Sequence, residues 1–118
     1  MPNESLSALT KLVLDFRTAR DWKQFHTPKE LAVSLVVESA ELLEIFQWKQ
    51  GPELDESIKK RKTEIADELG DCLHSILLLA HDLKIDLGDA LCEKMRKMEQ
   101  KYPVAKARGK PRKYNELD

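Results

Sequence analysis

The chain has 118 residues, 42% of them hydrophobic and 35% charged, which suits one globular domain with a core of useful size. Its formal net charge is −1 and its pI about 6.3, so no global field draws nucleic acid or an anionic membrane. No secretory leader pattern opens the chain and no apolar run approaches the roughly 18 residues of a membrane span, so a cytoplasmic protein is expected.

The pattern is helical almost throughout, without strand-like alternation of useful length. A first helix is expected from about Ser5 to Asp21, with Leu6, Leu9, Leu12, Val13 and Phe16 on one stripe. The connector WKQFHTP follows, and Thr27-Pro28 starts a second helix: a capping hydroxyl, then proline in the first turn, where its missing N–H costs nothing. That helix should reach about Lys49 and stop at Gly51-Pro52. A third is expected from about Asp55 to Leu83, and a fourth starts near Leu87 and ends at Tyr102-Pro103. The last residues, from Val104, are basic and interrupted by Pro and Gly, and suggest an extended tail. The expected organisation is a single helical domain over residues 1–103 and a basic tail over 104–118; the fold class is all-α, a four-helix bundle. Cys72 and Cys92 lie in apolar helical surroundings without metal-ligand spacing, and are expected to be reduced, buried thiols.

At about 100° per residue, Glu38 and Glu41 fall on the stripe of the second helix that also holds Leu31, Leu35, Leu42 and Ile45. The opposite side, with Val33, Val36, Ala40 and Leu43, is apolar too, so this helix should meet both the domain core and a second subunit. Glu44 points further round, toward solvent. The third helix repeats the pattern: Glu64, Glu68 and Asp71 share a stripe with Ile65, Cys72, Ser75 and Leu79.

Two antiparallel helices with these stripes facing would bring Glu38, Glu41, Glu68 and Asp71 together. Four uncompensated carboxylates are too costly to bury, and no Arg or Lys shares the stripe near them. A hard divalent cation is the natural compensation, and an all-oxygen ligand set favours Mg²⁺ or Mn²⁺. The competing reading is a solvated acidic face, since Glu-x-x-Glu and Glu-x-x-Asp are common on exposed helices. A di-iron bundle fits less well, because it needs two Glu-x-x-His motifs and only Asp71-x-x-His74 approximates one.

These stretches bear a family likeness. RDWKQFHTP, LVVESAELLEIFQWK, DELGDCL, KM at 94–95, KYP at 101–103 and RKYNEL near the end occur in the order found in the all-α nucleotide pyrophosphohydrolases. The chain resembles their MazG-like group, and within it the short dCTP pyrophosphatase type. The resemblance implies Mg²⁺-dependent cleavage of a nucleoside triphosphate, dCTP or a modified dCTP favoured, to monophosphate and pyrophosphate. It implies that Glu38, Glu41, Glu68 and Asp71 are the metal ligands, that Trp22 and Trp48 surround the base, and that the enzyme is a dimer or tetramer. Glu41, at the edge of the cluster, is the candidate for positioning the attacking water and taking its proton. His26, Lys94 and Arg112 are candidate substrate contacts, the two cations for phosphate. Met98, Ser75 and Val13 depart from the Asn, Tyr and His that relatives carry, and reshape the pocket around base and sugar. The alternatives are a dUTP- or phosphoribosyl-ATP-type pyrophosphohydrolase, or a non-enzymatic helical interaction module. Neither a nucleic-acid nor a membrane partner is expected.

Overall fold

Residues 4–117 are described by the computed structural model, and among them every regular element is a helix or a 3₁₀ turn. The chain divides into two compact units, one ending at Lys84 and one beginning at Ile85.

The first unit holds α1 (Leu6–Ala19), a 3₁₀ turn (Lys23–Phe25), α2 (Pro28–Phe46), α3 (Gly51–Lys60) and α4 (Lys62–Asp82). Helix starts follow the local chemistry. The Ser5 hydroxyl accepts the Ala8 N–H at 3.1 Å, and the Thr27 hydroxyl accepts that of Glu30 at 3.2 Å ahead of Pro28. Helix α2 packs most extensively on α4, while α1 lies against α4 and α3 closes onto both. Ser39 Oγ stands 3.7 Å from Cys72 Sγ, and the buried Ser57 hydroxyl donates to the Ile45 carbonyl at 3.4 Å, tying α3 to the end of α2. The core is formed by Leu31 and Ile45 of α2 and Leu77, Leu78 and Ala80 of α4.

Two expected boundaries differ. The long third helix is two helices, broken at Arg61, where φ −109° and ψ 23° leave the helical region. Helix α2 stops at Phe46 rather than Lys49, because Gln47 turns extended and Trp48 takes φ +69°. Gly51-Pro52 therefore opens α3 instead of ending α2, with proline in a first turn where no N–H is missed. Non-glycine residues also take the left-handed turn after α1 and α4, at Asp21 and Lys84.

The second unit holds α5 (Leu87–Lys101), a short α6 (Val104–Ala107) and a 3₁₀ turn (Tyr114–Glu116). Helix α5 is capped by Asp86, whose side chain accepts the Asp89 N–H at 2.9 Å. The tail is not simply extended: Tyr114 meets Tyr102 edge to face at 6.2 Å, and the Lys101 ammonium lies 4.8 Å from the Tyr114 ring centre. Both cysteines are free as expected, but neither is fully buried: Cys72 on α4 is half-buried and Cys92 on α5 is exposed.

Candidate active site

The facing of α2 and α4 brings the acids together. A carboxylate oxygen from each of Glu38, Glu41 and Glu68 lies within 4.8 Å of the others, with Glu38 and Glu68 half-buried and Glu41 exposed at the edge. Asp71 stands close enough to act electrostatically on both Glu38 and Glu68, although it lies outside that tight group. Each acid occupies its place because spacings of three along a helix put side chains on one side of adjacent turns.

This cluster lacks compensation. Burial pushes the Glu38 carboxyl up to about 7, and its hydrogen bond with Glu41 and the charges of Glu41, Asp71 and Glu68 push the same way. Burial also raises Glu68, followed by the charge of Glu41. Oε2 of Glu38 and Oε2 of Glu68 are both buried without a hydrogen-bond partner. The nearby Arg61 is engaged elsewhere, donating twice to Glu64 at 3.0 and 2.7 Å, and Lys49 donates to the Ile45 carbonyl at 3.1 Å. Two orphaned oxygens facing a third carboxylate, with no cation among them, fit a hard divalent ion.

The remaining expected contacts are spread along the chain. Trp22 precedes the 3₁₀ turn and meets Phe16 edge to face at 5.7 Å, and Phe16 in turn meets His74 at 6.5 Å. Trp48 lies beyond the far end of α2 and is 90% exposed. With α2 about 27 Å long at 1.5 Å per residue, the two indoles stand toward opposite ends of that helix within one chain. His26 is half-buried at the end of the 3₁₀ turn, its Nδ1 enclosed and without a partner. Burial, then the charge of Arg17, holds its imidazole below the ordinary range. Lys94 on α5 and Arg112 between α6 and the last 3₁₀ turn are exposed in the second unit.

The sequence reading missed one buried charge pair. Arg17 of α1 donates through both terminal nitrogens to Asp82 at the end of α4, at 2.8 Å each, with side chains 3% and 6% exposed. Arg17 lies four residues beyond Val13 on the apolar stripe of α1, and Asp82 four beyond Leu78 of the core. The test that singled out the glutamates, a charge on an apolar stripe, would have found both.

An all-helical unit built around a carboxylate cluster is a scaffold for metal-assisted hydrolysis, and the likenesses of the chain agree. Residues 33–117 match the MazG-like family. The chain is 37% identical to dCTP pyrophosphatase 1 of Mus musculus over 118 residues, 98% of this chain and 69% of that one. With dCTP pyrophosphatase 1 of Homo sapiens the identity is 36% over the same shares. In structure it is similar to a pyrophosphatase from Archaeoglobus fulgidus DSM 4304, with a TM-score of 0.79, 39% identity, and 87% of this chain and 96% of that chain covered. The protein is a nucleotide pyrophosphohydrolase. It belongs to the MazG-like family. The reading as a non-enzymatic interaction module is thereby set aside.

Proposed function

We propose that the chain hydrolyses a deoxynucleoside triphosphate, with dCTP or a 5-substituted dCTP favoured, to the monophosphate and pyrophosphate, in nucleotide-pool house-cleaning. The observation that carries this reading is the group of Glu38, Glu41 and Glu68 within 4.8 Å, two of whose buried oxygens lack any partner. Those three residues, with Asp71, would hold Mg²⁺ or Mn²⁺. Such an ion, when bound, neutralises the triphosphate and polarises the phosphorus under attack.

Glu41 is the group on the open edge of the cluster, where water and substrate arrive. It orients the attacking water and accepts its proton as the oxygen bonds to the α-phosphorus. The bond from that phosphorus to the bridging oxygen breaks, and pyrophosphate leaves with the electron pair. Trp22 and Trp48 offer stacking surfaces for a base, worth about 1–3 kcal/mol each. Lys94 and Arg112 are cations for the phosphates, and the tail from residue 104 carries the second of them.

The reading includes a symmetric dimer or tetramer of four-helix-bundle type. Its support is the exposed apolar side chains of the first unit: Leu12 of α1, Val36 and Leu43 of α2 and Leu69 of α4 are each more than half exposed. Among the described residues no helix is long and apolar enough to cross a membrane, and a cytoplasmic location accords with a nucleotide-pool role.

A panel of dNTPs with Mg²⁺ or Mn²⁺, followed by phosphorus NMR in ¹⁸O-labelled water, tests this. Monophosphate carrying the label, beside unlabelled pyrophosphate, is expected. Inorganic phosphate as the first product would refute it, and a preference for dUTP or phosphoribosyl-ATP would move the chain to a different chemistry on the same fold.

A further inference from the structure

Trp22 keeps its place without being buried. Its indole is 42% exposed and meets Phe16 edge to face, so packing alone does not fix the ring. The backbone around it does more. The Trp22 N–H donates to the Arg17 carbonyl at 3.1 Å, and the Trp22 carbonyl accepts the Phe25 N–H at 2.9 Å. Just before it, Asp21 takes φ +54°, which a non-glycine residue keeps only where its surroundings impose it. Gln24 braces that residue, donating to its carbonyl and its carboxylate at 3.0 Å each. Just after Trp22, the Lys23 ammonium reaches Oδ1 of Asp82 at 3.6 Å. The connector thus hangs between the carbonyl of Arg17 and the carboxylate of Asp82, and these two residues are joined by the buried double hydrogen bond.

Asp82 works against its own helix. It is the last residue of α4, where the negative end of the helix dipole disfavours an acid. Its partners account for it. Among the described residues the other four ion pairs lie three or four residues apart along the chain, whereas both pairs that use Asp82 reach a different element. A guanidinium–carboxylate fork also fixes direction, which apolar packing does not.

We propose that Arg17, Asp82 and Lys23 are positioning residues, which hold the connector from Asp21 to His26 so that the Trp22 indole stands ready to stack on the base; this rests on the triphosphate-cleaving reading above, in which Trp22 is one wall for the base. With the fork gone, the exposed ring is free to turn about Phe16 and must be ordered when substrate binds, which costs affinity. The chemical step is spared. Asp71, the nearest acid of the cluster on α4, lies about 16.5 Å from Asp82 along that helix.

Trp48→Phe leaves Trp22 the only tryptophan, so fluorescence anisotropy in that background reads the order of its ring directly. Arg17→Met/Asp82→Leu keeps an apolar contact between the helices and removes the fork; its anisotropy should fall below that of the background protein. On metal-loaded enzyme its KM for dCTP should rise roughly tenfold, within what one stacked base is worth, while KM for base-free 2-deoxyribose 5-triphosphate and kcat on both compounds hold. Lys23→Met, which removes only the exposed member, should move both readouts the same way and less. Asp82→Glu, which keeps a carboxylate for the fork, should stay near the background values. Fastening alone would change stability without this split between substrates. Should the double variant fail to fold by circular dichroism, Lys23→Met and Asp82→Glu decide. Unchanged anisotropy in Arg17→Met/Asp82→Leu and in Lys23→Met, or equal changes of KM on the two compounds, would overturn the proposal. So would Trp22→Ala impairing both compounds alike, since the indole would then have no base to meet. Failure of the parent to cleave any triphosphate would sink the reading beneath it, and anisotropy would still decide whether the three residues order Trp22.

Discussion

Within the first helical unit, two groups of charge are handled in opposite ways. Arg17 and Asp82 are buried as a pair, with a double hydrogen bond at 2.8 Å and Lys23 at 3.6 Å beside them. The Arg17 hydrogen bonds hold the Asp82 carboxyl below the usual carboxylate range. Glu38, Glu41 and Glu68 gather like charges instead, and burial, with the neighbouring carboxylates, pushes Glu38 and Glu68 up. The first group fastens α1 to the end of α4 and is complete in itself. The second gathers repulsion between α2 and α4 that a proton on Glu38 or a bound cation would relieve.

The largest effects are expected at the acids. Glu41→Gln should cost about 10²–10⁴ in turnover while leaving the folded state intact, since it removes proton acceptance and not packing. Asp71→Asn should fall in the same direction. Metal-free stability of either variant should match or exceed that of the parent, because like charges repel. Near-parental turnover in either would remove that residue from the machinery.

At the other cluster the order of effects reverses. Asp82→Asn leaves Arg17 buried and unpaired, and should destabilise by about 3–5 kcal/mol in denaturant unfolding. The double substitution Arg17→Met with Asp82→Leu should recover most of that loss, since an apolar pair replaces an ion pair at little cost. A double variant as unstable as the single one would show that the pair does more than fasten two helices.

The pH response sharpens the contrast. Asp82 ionises at lower pH folded than unfolded, so the unfolded chain binds more protons as pH falls below its ordinary value near 3.8. The pair's contribution is therefore complete at neutral pH and is lost as pH drops from about 4 through the folded value. In Arg17→Met/Asp82→Leu that acid limb should flatten; an unchanged limb would locate the acid sensitivity elsewhere.

The smallest effect is expected at Trp48. Its exposed ring carries no packing, so Trp48→Ala should raise KM several-fold for all bases alike, because stacking tolerates every base. Trp48→Gly should leave stability equal or raise it by up to about 1 kcal/mol, since glycine accepts φ +69° freely. A loss of stability there would give the indole a structural role that its exposure does not suggest.

How much of this was legible in the sequence depended on whether the cause was local. Glu38 and Glu68 announced themselves, because a carboxylate at core spacing conflicts with its neighbours on the same turn. Thr27-Pro28 gave its helix start for the same reason. The helix ends were harder. Left-handed caps are usually glycine, but here Asp21, Trp48 and Lys84 take them, so Gly51 drew the boundary of α2 to the wrong place. The break at Arg61 has neither Gly nor Pro to mark it. Arg17 and Asp82 are 65 residues apart, and nothing near either names the other; only the fold makes them partners.

The role proposed for the acid cluster is to hold a divalent cation. Thermal unfolding of the protein titrated with Mn²⁺ or Mg²⁺ from a chelated start tests it without reference to turnover. Stabilisation should grow with the logarithm of free ion above Kd, reaching about 2.7 kcal/mol at a hundredfold excess over Kd. It should be lost in the double variant Glu38→Gln/Glu68→Gln, whose metal-free form should itself be no less stable than the parent. Equal stabilisation of parent and double variant, or none in either, would contradict the account.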